Sequence, residues 1–289
     1  MRNPKNSTAG SLSARDVGPP MKAGLSYWQS MVELYRRREL IWVLILDELK
    51  RRYAGSLLGW SWVVVKPLLL LVLYTFLFGV VFQAKSGGIS GSSNYPILIL
   101  TGLIPWLLFA EALAASTSAI SAHASIITKV VFPIEVLPVC RVLAVSLSGL
   151  LNIVVLVIIL FISHGIGMTI ALFPVFLLLQ VLFAIGLAWV LATINVTIKD
   201  LSEVIPFFLT VWMFLSPVVY TREMLPPQYA WVLKLNPMTY LLETYRSILI
   251  ENRAPQLAST LICIVVSVSV FLGGFLLFYK RKAMLADEL

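Results

Sequence analysis

The chain has 289 residues, 59% of them hydrophobic and only 12% charged, with a formal net charge of +8. A soluble domain carries about 25% charged residues, so this composition excludes a disordered chain and fits a soluble enzyme poorly. At roughly 20 apolar residues per helical span, the length suits six spans with short loops and leaves no room for a separate soluble domain.

Residues 1–25 are rich in Pro, Gly, Ser and Lys, have no apolar core, and read as a disordered cytoplasmic tail without a signal peptide. Residues 26–56 mix Trp28, Leu34, Ile41, Trp42 and Ile45 with Arg36, Arg37, Arg38, Lys50, Arg51 and Arg52. That pattern is an amphipathic helix lying in the headgroup plane. Residues 57–282 form the spanning domain, and 283–289 a second cytoplasmic tail. The predicted spans are 60–82, 96–120, 137–162, 170–196, 204–221 and 257–279. No Lys, Arg, Asp or Glu occurs from Val142 to Ile198, which is too long for one helix. It folds as a hairpin turning at His164-Gly165-Ile166-Gly167.

Orientation follows from the basic residues. With the amino terminus inside, the inner segments hold sixteen Lys and Arg and the outer ones five, the asymmetry of a multi-pass protein with both termini in the cytoplasm. The outer segment after the fifth span is long and partly apolar. Pro226-Pro227 and Asn236-Pro237 divide it into two short helices that dip back toward the membrane. Irregular backbone at that depth is tolerated only inside protein or beside a wet cavity, so this segment is expected to cap a pathway.

Chemistry-bearing motifs are sparse. The only histidines, His123 and His164, are far apart, and Cys140 and Cys263 lie in apolar runs. No metal site, disulfide framework or catalytic residue is therefore expected, and the phosphate loop of a nucleotide-binding domain is missing. Lys66 lies just inside the first span, either snorkelling to the headgroups or, with Arg51 and Arg52, meeting an anionic substrate head. Glu111 falls mid-span and should face protein or water. Tyr74, Phe78 and Phe82 recur along one side of the first span. Phe208, Trp212 and Tyr220 do so on the fifth, with Ser216 completing the series. Such stripes serve either as packing and lipid-facing rings or as the wall of a pathway for sugar faces.

Four motifs together resemble a known family. Tyr53-Ala54-Gly55-Ser56-Leu57-Leu58-Gly59-Trp60-Ser61-Trp62, running to Lys66-Pro67, resembles the opening of the first span in ABC type-2 permeases. Lys129-Val130-Val131-Phe132-Pro133-Ile134-Glu135-Val136-Leu137-Pro138 is similar to their first coupling segment. Lys199-Asp200, followed by Ser216-Pro217-Val218-Val219-Tyr220, resembles their second coupling loop and fifth span, and Asn236-Pro237 their outer gate. The nearest branch is that of polysaccharide exporters of O-antigen, capsule and teichoic acid. The resemblance implies an all-α inner-membrane homodimer with six transmembrane helices, an amino-terminal interface helix and re-entrant gate helices. Two separate ATPase subunits would bind ATP and Mg, so this chain would need no cofactor of its own. They would dock at Lys129, Phe132, Pro133, Glu135, Lys199 and Asp200. The cargo would be a polysaccharide on a polyprenyl pyrophosphate, passing through a channel between the two permease copies that the first and fifth spans line. A permease of the same architecture for a small drug or lipid, and a proton-coupled carrier, are the alternatives.

Overall fold

The computed structural model describes residues 38–53, 59–74, 76–77, 95–124, 133–165 and 167–287. The predicted tail at 1–25, the first part of the interface helix, and Phe78, Phe82, Lys129 and Phe132 lie outside the described residues, as do the side chains of Arg52 and Lys66.

Among the described residues every regular element is helical. The α-helices are α1 (Arg38–Tyr53), α2 (Trp62–Tyr74), α3 (Tyr95–Thr117), α4 (Val136–His164), α5 (Phe173–Thr197), α6 (Leu201–Leu215), α7 (Ala230–Leu235), α8 (Pro237–Leu249) and α9 (Leu257–Asp287). Four segments are long and apolar enough to cross a membrane: Tyr95–Thr117, Val136–Ser163, Met168–Thr197 and Leu257–Lys282. They correspond to the second, third, fourth and sixth predicted spans. The fifth is shorter than expected. It stops at Leu215, and its 15 residues reach roughly 22 Å at about 1.5 Å per residue. Pro217 is the reason, because a proline excludes the helical region for the residue before it. Ser216 accordingly sits extended, at φ −102° and ψ 148°.

The predicted hairpin is present. α4 ends at His164, and Gly165 turns the chain at φ +72°, a conformation open to glycine and strained for other residues. α5 then returns and packs most intimately on α9, where glycine permits the approach. A Cβ on Gly274 would lie 2.1 Å from the Gly186 carbonyl oxygen, and one on Gly186 2.4 Å from that of Val270. Without a hydrophobic force between helices in lipid, such close backbone packing is a main source of association.

α1 lies against the start of α4. Ile45 packs with Val136, Cys140 and Ala144, and Glu48 pairs with Arg141. Trp42, Val43 and Leu46 stay exposed beside the exposed Asp47–Arg51 pair, which gives α1 one protein-facing and one free apolar side. Cys140 and Cys263 are both buried free thiols.

Candidate functional site

Asn236 joins the short helices to the bundle. It is buried, and its side-chain oxygen caps α8 by accepting from Met238 N at 3.1 Å. The same oxygen accepts from Trp212 Nε1 at 3.0 Å. Its nitrogen donates to Ser216 Oγ at 2.7 Å and to the Leu215 carbonyl at 3.2 Å. One amide thus satisfies a helix start, a ring and the carbonyl that Pro217 leaves without a helical partner.

Trp212 stands edge-on to Trp106 at 5.8 Å and to Phe109 at 5.5 Å, and Phe109 stacks on Phe183 at 5.5 Å. Trp106 and Phe109 lie halfway along α3, so α7 and α8 meet at Asn236 beside the middle of a spanning helix. From there α8 runs back out along α3 and α5. Tyr245 Oη donates to Gln180 Oε1 at 2.7 Å, and Gln180 Nε2 donates to the Pro105 carbonyl at 2.8 Å. Arg246, buried near the far end of α8, donates through Nη2 to the Val218 carbonyl at 2.8 Å and through Nη1 to that of Tyr220 at 3.0 Å. Burial pushes its guanidinium down to about 10, so it stays charged at neutral pH.

The aromatic stripe expected on the fifth span is corrected by this geometry. Helix α6 ends before Ser216, so Tyr220 is out of helical register with Phe208 and Trp212, and its Oη reaches back to the Phe214 carbonyl at 3.2 Å. Trp212 is held in the internal cluster, whereas Phe208 is exposed. The free face of α6 is instead Val204, Phe207, Phe208, Val211, Phe214 and Leu215, and only Ile205 and Leu209 are buried. Tyr74 on α2 packs against the main core. Glu111 is exposed on α3, where it lines a groove of about 220 Å³ with Pro206, Thr210 and Met213 of α6. Pro226 and Pro227 are exposed in short turns, and Pro237 opens α8.

At the opposite end, Lys199 and Asp200 are exposed where α6 begins. Asn195, which the sequence did not single out, accepts from Ser202 N at 3.1 Å and donates to Ser121 Oγ at 3.1 Å. It ties the α5–α6 connection to the one that follows α3. Glu135 departs from expectation. It is 4% exposed, and its carboxylate meets Lys282 Nζ at 2.8 and 3.0 Å. Its carbonyl accepts from Trp189 Nε1 at 3.0 Å. A carboxylate buried among helices requires a cation, so Glu135 serves the fold, and Pro133 beside it is buried too.

Residues 39–250 match the family described as ABC-2 type transporter. The chain belongs to that family. It is 34% identical over 264 residues to the O-antigen export system permease protein RfbA of Myxococcus xanthus, covering 89% of this chain and 98% of that one. A Klebsiella pneumoniae protein of the same name is 31% identical over 74% of this chain and 81% of its own length. The polysialic acid transport protein KpsM of Escherichia coli is 24% identical over 84% and 94%. In this ABC-2 chain the matched region contains the Asn236 junction, the Arg246 clamp and the whole of α6.

Proposed function

We propose that this chain is the permease subunit of an exporter that moves lipid-linked polysaccharide outward across the bacterial inner membrane, driven by a separate ATPase. The likeness to the Myxococcus O-antigen permease, which extends over nearly that protein's full length, carries the reading. In it the chain spans the membrane six times with both termini in the cytoplasm, and two copies bring their α6 faces together. Phe207, Phe208 and Phe214 then offer flat apolar surface to sugar ring faces while water solvates the hydroxyls. Binding that is favourable yet easily released is what conduction needs. The same role is assigned to Phe78 and Phe82.

The ATPase pair meets Lys129, Phe132, Lys199 and Asp200, and the Asn195–Ser121 bond supports that surface by fixing its two connections to each other. ATP and Mg belong to the partner, and this chain performs no hydrolysis. Arg51, exposed at the end of α1, with Arg52 and Lys66, receives the anionic head of the carrier. α7 and α8, with Pro226, Pro227, Asn236 and Pro237, form the outer gate. The test is surface polysaccharide per assembled transporter. Phe207→Ala with Phe208→Ala should lower export by about tenfold at unchanged protein level, while Phe161→Ala, exposed on α4, should not. Equal behaviour of the two would remove the ring-stacking pathway, and unchanged surface polysaccharide in a deletion strain would remove the export reading.

A further inference from the structure

A second polar site lies away from the α6 face. A cavity of about 400 Å³ opens between α8, the start of α9 and the segment Thr221–Glu223, within the size range of small-molecule sites. Arg246 and Thr221, each 7% exposed, line its inner wall. Arg246 spends both terminal nitrogens on backbone carbonyls, and its Nε–H, like the Thr221 hydroxyl, is buried without a hydrogen-bond partner. Buried polar groups are almost always paired, and the Thr244 hydroxyl is a third such atom, so three orphaned polar atoms on residues lining one cavity point to a ligand there. Arg222 pairs with Glu243 at 3.1 Å, and Glu223, Ser247, Glu251, Gln256 and Ser259 are among the other lining residues.

The lining selects the ligand class. Three glutamates against two arginines leave an excess of negative charge, which disfavours phosphate and carboxylate. No group of three metal-ligating side chains occurs among the described residues, which disfavours a divalent cation. The cavity has no aromatic wall, so recognition is by hydrogen bonds and not by stacking. Guanidinium groups only donate and carboxylates only accept, whereas a hydroxyl does both. A ligand dense in hydroxyls can therefore use every group present. We propose that this cavity binds a single uncharged glycosyl unit, holding it beside the outer gate through Arg246, Thr221 and Glu243. The proposal rests on the polysaccharide-export reading for its ligand source and adds a site within each chain, apart from the shared pathway.

The test uses the full chain in lipid nanodiscs with isotope-labelled arginine. The side-chain Nε–H resonance of Arg246 is followed, assigned by its disappearance in Arg246→Lys. The probes are methyl α-D-mannopyranoside, methyl α-D-glucopyranoside, and repeat-unit oligosaccharides released by mild acid from the host's surface polysaccharide. Sodium phosphate and magnesium chloride are the comparators. Equilibrium dialysis of radiolabelled glycoside gives a second measure that does not depend on the assignment. A saturable shift with a saccharide, weakened by about tenfold or more in Ser259→Trp, is the expected result. Ser259→Trp narrows the cavity and leaves the Arg246 clamp in place. Tighter binding of the repeat-unit fragments identifies the exported polymer as the source, and equal binding of simple glycosides identifies any outer saccharide. No saccharide response, a response to phosphate or magnesium alone, or equal affinity in Ser259→Trp overturns the proposal. Surface polysaccharide in the deletion strain decides the export reading separately.

Discussion

Removing the Asn236 amide should destabilise the protein by an amount that can be worked from its four bonds. Asn236→Ala deletes the cap on α8, which costs about 1 kcal/mol. It also leaves the Trp212 N–H and the Leu215 carbonyl without the partners seen at 3.0 and 3.2 Å. An orphaned buried group costs about 1–3 kcal/mol, but within membrane proteins a side-chain hydrogen bond averages only about 0.6 kcal/mol. The total expected is about 3 kcal/mol. Trp212→Phe keeps most of the ring packing on Trp106 and Phe109 and removes one N–H, so about 1–2 kcal/mol is expected. The two substitutions share a bond and cannot be additive. Their double-mutant coupling should be about 0.6–1.7 kcal/mol. Asn236→Asp keeps both accepted bonds, but it loses both donated ones and buries a carboxylate against the Leu215 carbonyl with no cation beside it, so it should cost at least as much as alanine. Unfolding in bicelles, followed by tryptophan fluorescence, measures all four variants. Additivity of Asn236→Ala and Trp212→Phe within about 0.3 kcal/mol would refute the reasoning, because the Asn236–Trp212 bond would then contribute nothing.

Gly274→Leu should abolish accumulation of folded protein, since its Cβ would enter the Gly186 carbonyl, whereas Gly273→Ala, with open space around it, should be neutral; detergent-solubilised yield and melting temperature separate them. Glu243 is raised above the usual carboxylate range by burial, only partly opposed by Arg222. Its stabilising contribution is complete at low pH and is lost as the pH rises through that raised value, so wild type should gain more in melting temperature between about pH 7 and pH 5 than Glu243→Gln; equal gains would refute this. Lys282→Met should cost about 3 kcal/mol by leaving the Glu135 carboxylate buried and uncompensated. Asp200→Asn, at an exposed position, should leave stability within about 0.5 kcal/mol and instead lower ATPase stimulation by the permease.

Much of the fold was legible because the spans are continuous apolar runs and the hairpin carries its own glycine. The fifth span was drawn too long because hydropathy counts residues such as Val218 and Val219 without registering that Pro217 has already ended the helix. Arg246 is one of the five basic residues that the charge count assigns to the outer segments. Its partners are backbone carbonyls of a kink 26 and 28 residues earlier, and carbonyls carry no sequence signal. Asn236 was visible as punctuation before a proline, which foretells its capping role but not the second half of its amide. Gln180 and Asn195 passed unnoticed because a lone amide in an apolar run has no periodicity, and only the packed neighbours Tyr245, Pro105, Ser121 and Ser202 give it work.

The unequal packing of the helices determines where motion can enter and where it can be released. α5 and α9 are locked by backbone contact at Gly186 and Gly274. α8 is buried along Met238, Leu241, Leu242 and Tyr245 and pinned through Gln180. α6 buries only Ile205 and Leu209, so little apolar area opposes its displacement. It begins at Lys199–Asp200, on the surface proposed to meet the ATPase, and ends at the Asn236 amide. A 15-residue helix is a stiff rod of roughly 22 Å, and a tilt imposed at one end arrives at the other. The bonds met there join Asn236 to Trp212, Leu215 and Ser216. All are polar, and water from an opening pathway can replace them at little net cost. Separating α5 from α9 offers no such exchange, since the lost contacts are dispersion between close backbones. On the proposed docking, α6 is therefore the helix that shifts against α3 and α5, and Asn236 sets how tightly its end is held to the start of α8.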